Sequence, residues 1–136
     1  MQKDKINVVK AVCNNAAKKL VVLSLAIAVS GGTVASAQLS EVSNKRLCDT
    51  LLEFQRMLGP DLRSNDIILE RQNDVLRELL QRSGVEIPNE AVQLQRDIEA
   101  FESASKEKVD KAIQLNQLLK VKLSSVGIFL FPGQQA

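Results

Sequence analysis

The longest stretch without glycine or proline, Asn89–Val126, is the feature that most restricts the fold. Pro88 or Asn89 supplies a helix start and Gly127 a stop, so the sequence predicts one continuous helix of 38 residues. At ~1.5 Å per residue, that helix would be roughly 57 Å long, which favours an elongated molecule. Apolar residues with two polar exceptions follow one face at spacings of three and four. This stripe consists of Leu94, Ile98, Phe101, Ser105, Val109, Ala112, Asn116, Leu119, Leu123 and Val126.

Two shorter amphipathic helices are predicted before the long one. The first runs roughly Ser40–Leu58 and ends at Gly59-Pro60, where glycine and proline together stop a helix. The second covers about Asn65–Arg82, and Asn73 interrupts its apolar stripe. An amide in such a stripe either fixes the register of a helical seam or is half-exposed, and the half-exposed case is the commoner one.

The short turn Gly84–Pro88 predicts that the second and third helices are antiparallel neighbours. Pivoting there places Leu94 opposite Leu79, and it places the polar waist of the long helix, Glu102–Lys111, opposite the connection Gly59–Ser64. Because both irregularities coincide, the favoured fold is all-α: an elongated, coiled-coil-like antiparallel hairpin whose first arm is broken at Gly59-Pro60. The alternative is a compact three-helix bundle in which the first helix folds back beside the second.

Residues 1–37 have the pattern of a cleavable secretory signal peptide. A lysine-rich lead precedes the apolar run Leu20–Val29, and Ala35-Ser36-Ala37 provides a small-residue cleavage site. An uncleaved anchor is the alternative, but this run is about half the ~20 residues that a spanning helix needs. We therefore expect cleavage after Ala37 and export to a bacterial periplasm or beyond, with a helical domain at 38–126 and an apolar tail at 127–136.

Removing the signal changes both the charge and the cysteine content of the chain. Residues 1–37 hold five lysines and one aspartate, so the other 99 residues carry 13 basic and 15 acidic side chains, a net charge of −2. These charges are interspersed, and no basic face with aromatic residues favours nucleic-acid binding. Only Cys48 would remain after cleavage, so no internal disulfide is expected. Cys48 is then either a small buried hydrophobe or the site of an intermolecular disulfide between two copies.

Apolar residues outside the main stripe indicate an interaction surface. A two-helix layer cannot enclose its own seam, and Ile113, Leu118 and Val121 lie off the face used by Leu119 and its neighbours. We expect these residues to be covered by a second copy of the chain or by another envelope or secreted protein.

The C-terminal tail is uncharged and apolar. Its large side chains are Ile128, Phe129, Leu130 and Phe131. The tail either folds back to plug one end of the bundle or serves as a docking peptide for a partner. Contact with a membrane surface is less favoured, because the segment has few apolar residues and no basic anchor after it.

The sequence lacks the residue types of most catalytic sites. Histidine, tyrosine and tryptophan are absent, and there is no glycine-rich phosphate loop. Pairs such as Asp74 with Glu78 are typical of solvated helix faces, so an enzyme using carboxylates alone remains only a third alternative. No cofactor and no metal are expected.

These features predict an exported, non-catalytic coiled-coil interaction protein. It would act as an assembly component, adaptor or holdase through an apolar helical seam, and it would self-associate or bind another envelope protein. The alternative is a peripheral membrane-associated protein that uses its uncharged C-terminal tail.

Overall fold

The computed structural model describes residues 2–18 and 39–131. Within these two ranges the chain forms α-helices and one 3-10 turn, Leu62–Ser64, and it contains no strand. The five helices are α1 (Gln2–Lys18), α2 (Asn44–Leu58), α3 (Asp66–Arg82), α4 (Asn89–Glu99) and α5 (Lys106–Ser125). The all-α prediction is therefore confirmed, but the elongated hairpin is not, and the helix count exceeds that of the three-helix alternative.

Local capping interactions set both ends of α2 and the start of α3. Ser43 caps α2 by accepting a hydrogen bond from the Arg46 backbone N–H, and Gly59 ends α2 with a φ of +65°. The side chain of Asn65 accepts bonds from the first turn of α3. Helix α2 thus stops where Gly59-Pro60 predicts, and α3 begins within one residue of its predicted start.

The predicted continuous helix Asn89–Val126 is wrong, because the chain breaks between α4 and α5. Helix α4 closes at Ala100, whose N–H bonds to carbonyls of the preceding turn. Ser105 then takes an extended conformation, and its hydroxyl accepts a bond from the Lys108 N–H to start α5. The break falls at the polar waist, where the apolar stripe is interrupted by Ser105 and where serine side chains compete with helical backbone bonds.

Folding back at this break changes the partner of α4. Helix α4 packs against α5, and α5 packs against α3, so the predicted pairing of Leu94 with Leu79 across an α3–α4 seam is wrong. Leu94 is nevertheless buried, and Asp97 on α4 forms an ion pair of 3.6 Å with Lys111 on α5. The reversal therefore buries the apolar face of α4 within the same domain.

Helix α3 lies at the centre of the molecule, in contact with α1, α2 and α5. Helix α2 packs beside α3, as the compact alternative predicts. The core is built mainly from leucine, and its largest fully buried side chains come from α2, α3, α5 and the segment before α2. They are Leu39, Leu47, Leu51, Phe54, Ile68, Leu69, Leu76, Leu79, Leu80, Leu115, Leu119 and Leu123.

Helix α1 belongs to the part of the sequence predicted to be a signal, and here it packs against α2 and α3. A disulfide joins Cys13 on α1 to Cys48 on α2, with Cα atoms 5.3 Å apart. The expectation of no internal disulfide concerns a chain cleaved after Ala37, which lacks Cys13, and it stays a prediction for that chain. The intermolecular disulfide of Cys48 stays a prediction for a chain that has lost residues 1–37.

Other parts of the signal prediction lie outside the described residues. These are the apolar run Leu20–Val29 and the cleavage motif Ala35-Ser36-Ala37. The last five residues of the predicted tail, 132–136, lie outside them as well.

Candidate interaction site

Helix α1 fills a groove formed by α2, α3 and the segment 127–131, and this groove is the candidate interaction site. The buried ridge of α1 consists of Val9, Cys13 and Ala16, spaced four and three residues apart. That spacing puts small side chains on one line along the helix, which allows close approach to the groove. Val8 lies beside the ridge and is exposed. Helix α1 therefore packs against the groove along one face, while Val8 lies outside that face.

Asn14 on α1 links the helix to the C-terminal segment through the backbone. Its amide nitrogen donates to the Gly127 carbonyl at 3.0 Å, and its amide oxygen accepts from the Phe129 N–H at 2.8 Å. The Lys10 side chain lies against Gly127 so closely that a Cβ there would be 2.8 Å from Lys10 Cε. The end of the Lys10 side chain could move away from a Cβ, but Gly127 has a φ of +89°, a conformation that favours glycine. One amide thus satisfies two backbone groups of the segment.

The C-terminal segment after Gly127 is packed into the domain as far as the structure describes it. Ile128, Leu130 and Phe131 are buried, and Phe129 is partly buried. The Ile128 N–H also bonds to the Leu123 carbonyl at the end of α5. This arrangement corresponds to the fold-back alternative through residue 131, so three of the four predicted docking side chains are not available at the surface.

Lys120 is only 6% exposed, and no carboxylate of residues 2–18 or 39–131 forms an ion pair with it. Its ammonium nitrogen donates to the side-chain oxygen of Gln55 at 2.8 Å and lies 4.6 Å from the centre of the Phe131 ring. Burial lowers the pKa of Lys120 from 10.5 to about 8. A cation–π contact therefore joins α5 to the C-terminal segment at a desolvated charge.

Buried amides connect α2, α3 and α5 behind Lys120. Asn116 donates at 2.8 Å to the side-chain oxygens of both Gln72 and Asn73. Gln72 donates in turn to Gln55 at 3.2 Å, and Asn73 donates to the Ala112 carbonyl at 3.1 Å. The oxygen of Asn116 accepts no bond. Asn73 is therefore fully part of the core, so the half-exposed interpretation of this residue is wrong.

The predicted surface on α5 is largely covered. Ile113 and Leu118 are partly buried and pack against the core. Val121 is 63% exposed, more than any other large apolar side chain in the described ranges. The three residues therefore do not form one open apolar face, and Val121 is the member that remains accessible.

Sequence reasoning missed both Lys120 and the extent of the amide network. The signal was nevertheless present, because Asn73 and Asn116 each occupy an apolar stripe of a neighbouring helix. Two amides placed in this way can bond to each other only if their helices pack directly. The contact of Asn14 with the C-terminal segment had no comparable signal, since the two are separated by 113 residues and more in the sequence.

The groove and the amide network consist of apolar side chains, side-chain amides and backbone groups. Among residues 2–18 and 39–131, no group of three or more histidine, cysteine, aspartate or glutamate side chains could hold a metal ion. None of the helices described is both long and apolar enough to cross a membrane. Comparison with protein-family models, with curated proteins and with solved structures gives no match.

Proposed function

We propose that the protein is an exported, non-catalytic interaction protein of the bacterial envelope, which holds a helical partner as an assembly component, adaptor or holdase. This proposal rests on one observation, the packing of α1 against α2 and α3. An amphipathic helix from the segment with the signal pattern fills a groove on the remaining domain. Cleavage after Ala37, together with opening of the Cys13–Cys48 disulfide, would leave that groove open in the exported chain.

The groove would then expose groups that favour association with a partner. Val9, Cys13 and Ala16 cover apolar surface that would become accessible, and Cys48 would lose its disulfide partner. The Gly127 carbonyl and the Phe129 N–H would lose their bonds to Asn14. An apolar surface with unpaired backbone groups is stabilised when another chain covers it.

Straightening of α4 and α5 into an elongated coiled coil is not part of this proposal. Ser105 caps α5, and the ion pair between Asp97 and Lys111 holds the two helices together in the folded-back arrangement. The partner surface is therefore the groove, together with Val121 as an exposed apolar contact on α5.

The membrane alternative has weaker support. It requires apolar side chains of the C-terminal segment to reach a bilayer, yet Ile128, Leu130 and Phe131 are buried. Flotation of the exported chain with vesicles of anionic and neutral phospholipids tests this alternative directly. We expect the chain to remain in the non-floating fraction with both kinds of vesicle.

The proposed function is tested by expressing the whole chain in a bacterium and recovering it from the envelope fraction. Intact mass should correspond to a chain that begins at Gln38, and light scattering should give at least twice the mass of one chain. A Cys48→Ser variant should keep this mass if the apolar groove drives association, and should lose it if an intermolecular disulfide does. A stable monomer at micromolar concentration, recovered without any partner, would contradict the proposal.

A further inference from the structure

Two covalent connections hold α1 to the rest of the protein. One is the polypeptide backbone, which the predicted cleavage after Ala37 would cut. The other is the disulfide from Cys13 on α1 to Cys48 on α2. Because the disulfide joins residues on either side of the cleavage position, cleavage alone would leave residues 1–37 attached to the domain as a second chain. Loss of α1 therefore requires a second chemical step, the reduction of this disulfide.

The noncovalent contacts of α1 come mainly from small side chains and one amide. Its buried side chains are Val9, Cys13 and Ala16, and Asn14 supplies two hydrogen bonds to the C-terminal segment. An isolated helix of 17 residues is only marginally stable in water, so a free α1 would have to regain its helical structure whenever it binds. A disulfide makes the same contacts intramolecular, which greatly raises their effective concentration. The disulfide therefore decides whether a cleaved α1 stays in the groove.

The sulfur atoms are shielded while α1 is in place, because Cys13 and Cys48 are both inaccessible to solvent. Thiol–disulfide exchange requires direct attack of a thiolate on a sulfur atom, so a reductant can act only after α1 has moved away from the groove. Asn14 is adjacent to Cys13, and its bonds to the Gly127 carbonyl and the Phe129 N–H oppose this movement. The C-terminal segment therefore restricts access to the disulfide.

We propose that the Cys13–Cys48 disulfide is a redox switch: when oxidised it retains α1 in the groove after cleavage, and when reduced by a dithiol it releases α1. A thiolate of the dithiol attacks one sulfur atom to form a mixed disulfide, and the second thiol of the reductant displaces that sulfur. The dithiol is thereby oxidised to its own disulfide. Cys13 leaves with α1 as a thiol, and Cys48 remains in the groove as a thiol. This proposal rests on the proposed function, because the groove that it uncovers is the proposed partner site.

The test uses the full chain with two inserted protease recognition sequences, one after Lys19 and one after Ala37. When the oxidised protein has been cut at both sites, α1 is attached to the domain only through the disulfide. Gel filtration and intact mass at low micromolar concentration show whether the fragment with α1 stays with the domain. We expect the fragment to stay without reductant and to be lost with dithiothreitol, while circular dichroism shows that the domain remains helical. The control is Cys13→Ala, which should lose the fragment after cutting without any reductant.

The rate of reduction tests the role of the C-terminal segment. In the uncut chain, Asn14→Ala removes both hydrogen bonds to this segment and should speed reduction by dithiothreitol about fivefold or more. Asn15 is exposed, so Asn15→Ala is the matched control and should change the rate less than about twofold. Alkylation of free thiols followed by mass spectrometry measures both rates.

Four results would overturn the proposal. Loss of the fragment from the cut chain without reductant would show that no disulfide retains it. Retention of the fragment after complete reduction would show that noncovalent contacts are sufficient. Unfolding of the domain on loss of the fragment would show that α1 is an indispensable part of the core. Equal reduction rates for Asn14→Ala and Asn15→Ala would show that the disulfide opens without detachment of α1 from the C-terminal segment.

The envelope-derived chain distinguishes these failures from failure of the proposed function. If that chain begins at Gln38 but the purified protein fails the tests of release and reduction, only the redox switch is refuted. If the chain in the envelope keeps residues 1–37 in its backbone while the purified protein passes those tests, only the export step is refuted.

Discussion

Asn116 donates a hydrogen bond of 2.8 Å to the side-chain oxygen of Asn73, and both residues are inaccessible to solvent. The bond joins α5 to α3 within a core that is built mainly from leucine. Buried amides are stabilising only when they are paired, because a lone buried acceptor loses its hydration without compensation. This pair therefore specifies one alignment of the two helices, since a shift of either helix by a turn would leave amides unpaired.

Replacing Asn116 with Ala should lower the free energy of unfolding by about 2–4 kcal/mol. The change leaves acceptors on Gln72 and Asn73 unpaired, each at about 1–3 kcal/mol, and opens a small cavity. Urea denaturation followed by circular dichroism measures the difference. Gln117→Ala is the matched control, since Gln117 is an exposed amide on the same helix and should change stability by less than about 0.5 kcal/mol. Equal effects of the two changes would show that the network does not contribute.

Helix ends that depend on local capping can be predicted from this sequence, whereas a break that depends on contacts between helices cannot. The end of α2 at Gly59 and the approximate start of α3 depend on local chemistry, and both are predicted correctly. The break before Ser105 is also local, but the surrounding stripe of apolar residues suggested continuity across it. What decides the break is the packing of α4 on α5, a non-local contact that spacing along one helix cannot reveal.

The candidate site was harder to predict than the fold. Its contacts join Asn14 to Phe129 and Lys120 to Gln55, pairs that are far apart in the sequence and belong to no motif. The amphipathic pattern could identify apolar side chains in the C-terminal segment, but it could not decide whether they face the domain or solvent. The structure buries Ile128, Leu130 and Phe131 as part of the hydrophobic core.

Ser105→Ala should destabilise the protein by about 0.5–2 kcal/mol, the usual effect of losing a helix N-cap. The serine hydroxyl accepts the Lys108 N–H at 3.1 Å, and alanine leaves this backbone donor without a protein partner. Thermal unfolding followed by circular dichroism measures the effect. Ser103 is exposed in the same connection, so Ser103→Ala serves as the control and should be nearly neutral. A larger loss with Ser103→Ala than with Ser105→Ala would contradict the capping role.

Lys120 should give the protein a stability that increases with pH above about 8. Burial lowers its pKa in the folded protein from 10.5 to about 8, so between these values the unfolded chain binds a proton that the folded chain does not. The free energy of unfolding therefore rises with pH across this window, by up to about 3 kcal/mol, and is lowest below pH 8, where the buried charge is present.

The Lys120→Met variant tests this dependence. Methionine does not titrate, so the difference in unfolding free energy between the native protein and this variant should change steadily from pH 8 to pH 10 in urea denaturation. Lys106→Met is the control, because Lys106 is exposed at the start of α5 and should follow the native protein. A constant difference between the native protein and Lys120→Met over this range would show that Lys120 titrates normally.

Arg82→Lys should lower the free energy of unfolding by about 1–3 kcal/mol. The reason is that Arg82 on α3 forms hydrogen bonds to Leu39 and Asn44 at the start of the helical domain. Its guanidinium donates to the Leu39 carbonyl at 2.7 Å, to the Asn44 side-chain oxygen at 3.0 Å and to Glu78 at 2.8 Å. A lysine can keep the ion pair with Glu78, but its single nitrogen cannot reach all three acceptors. The measurement is urea denaturation at pH 7, with Arg96→Lys on an exposed position of α4 as the control. Hydrogen exchange should also become faster in the first turns of α2 and remain unchanged in α4. If both variants unfold at the same urea concentration as the native protein, the bonds from Arg82 to Leu39 and Asn44 do not contribute to stability.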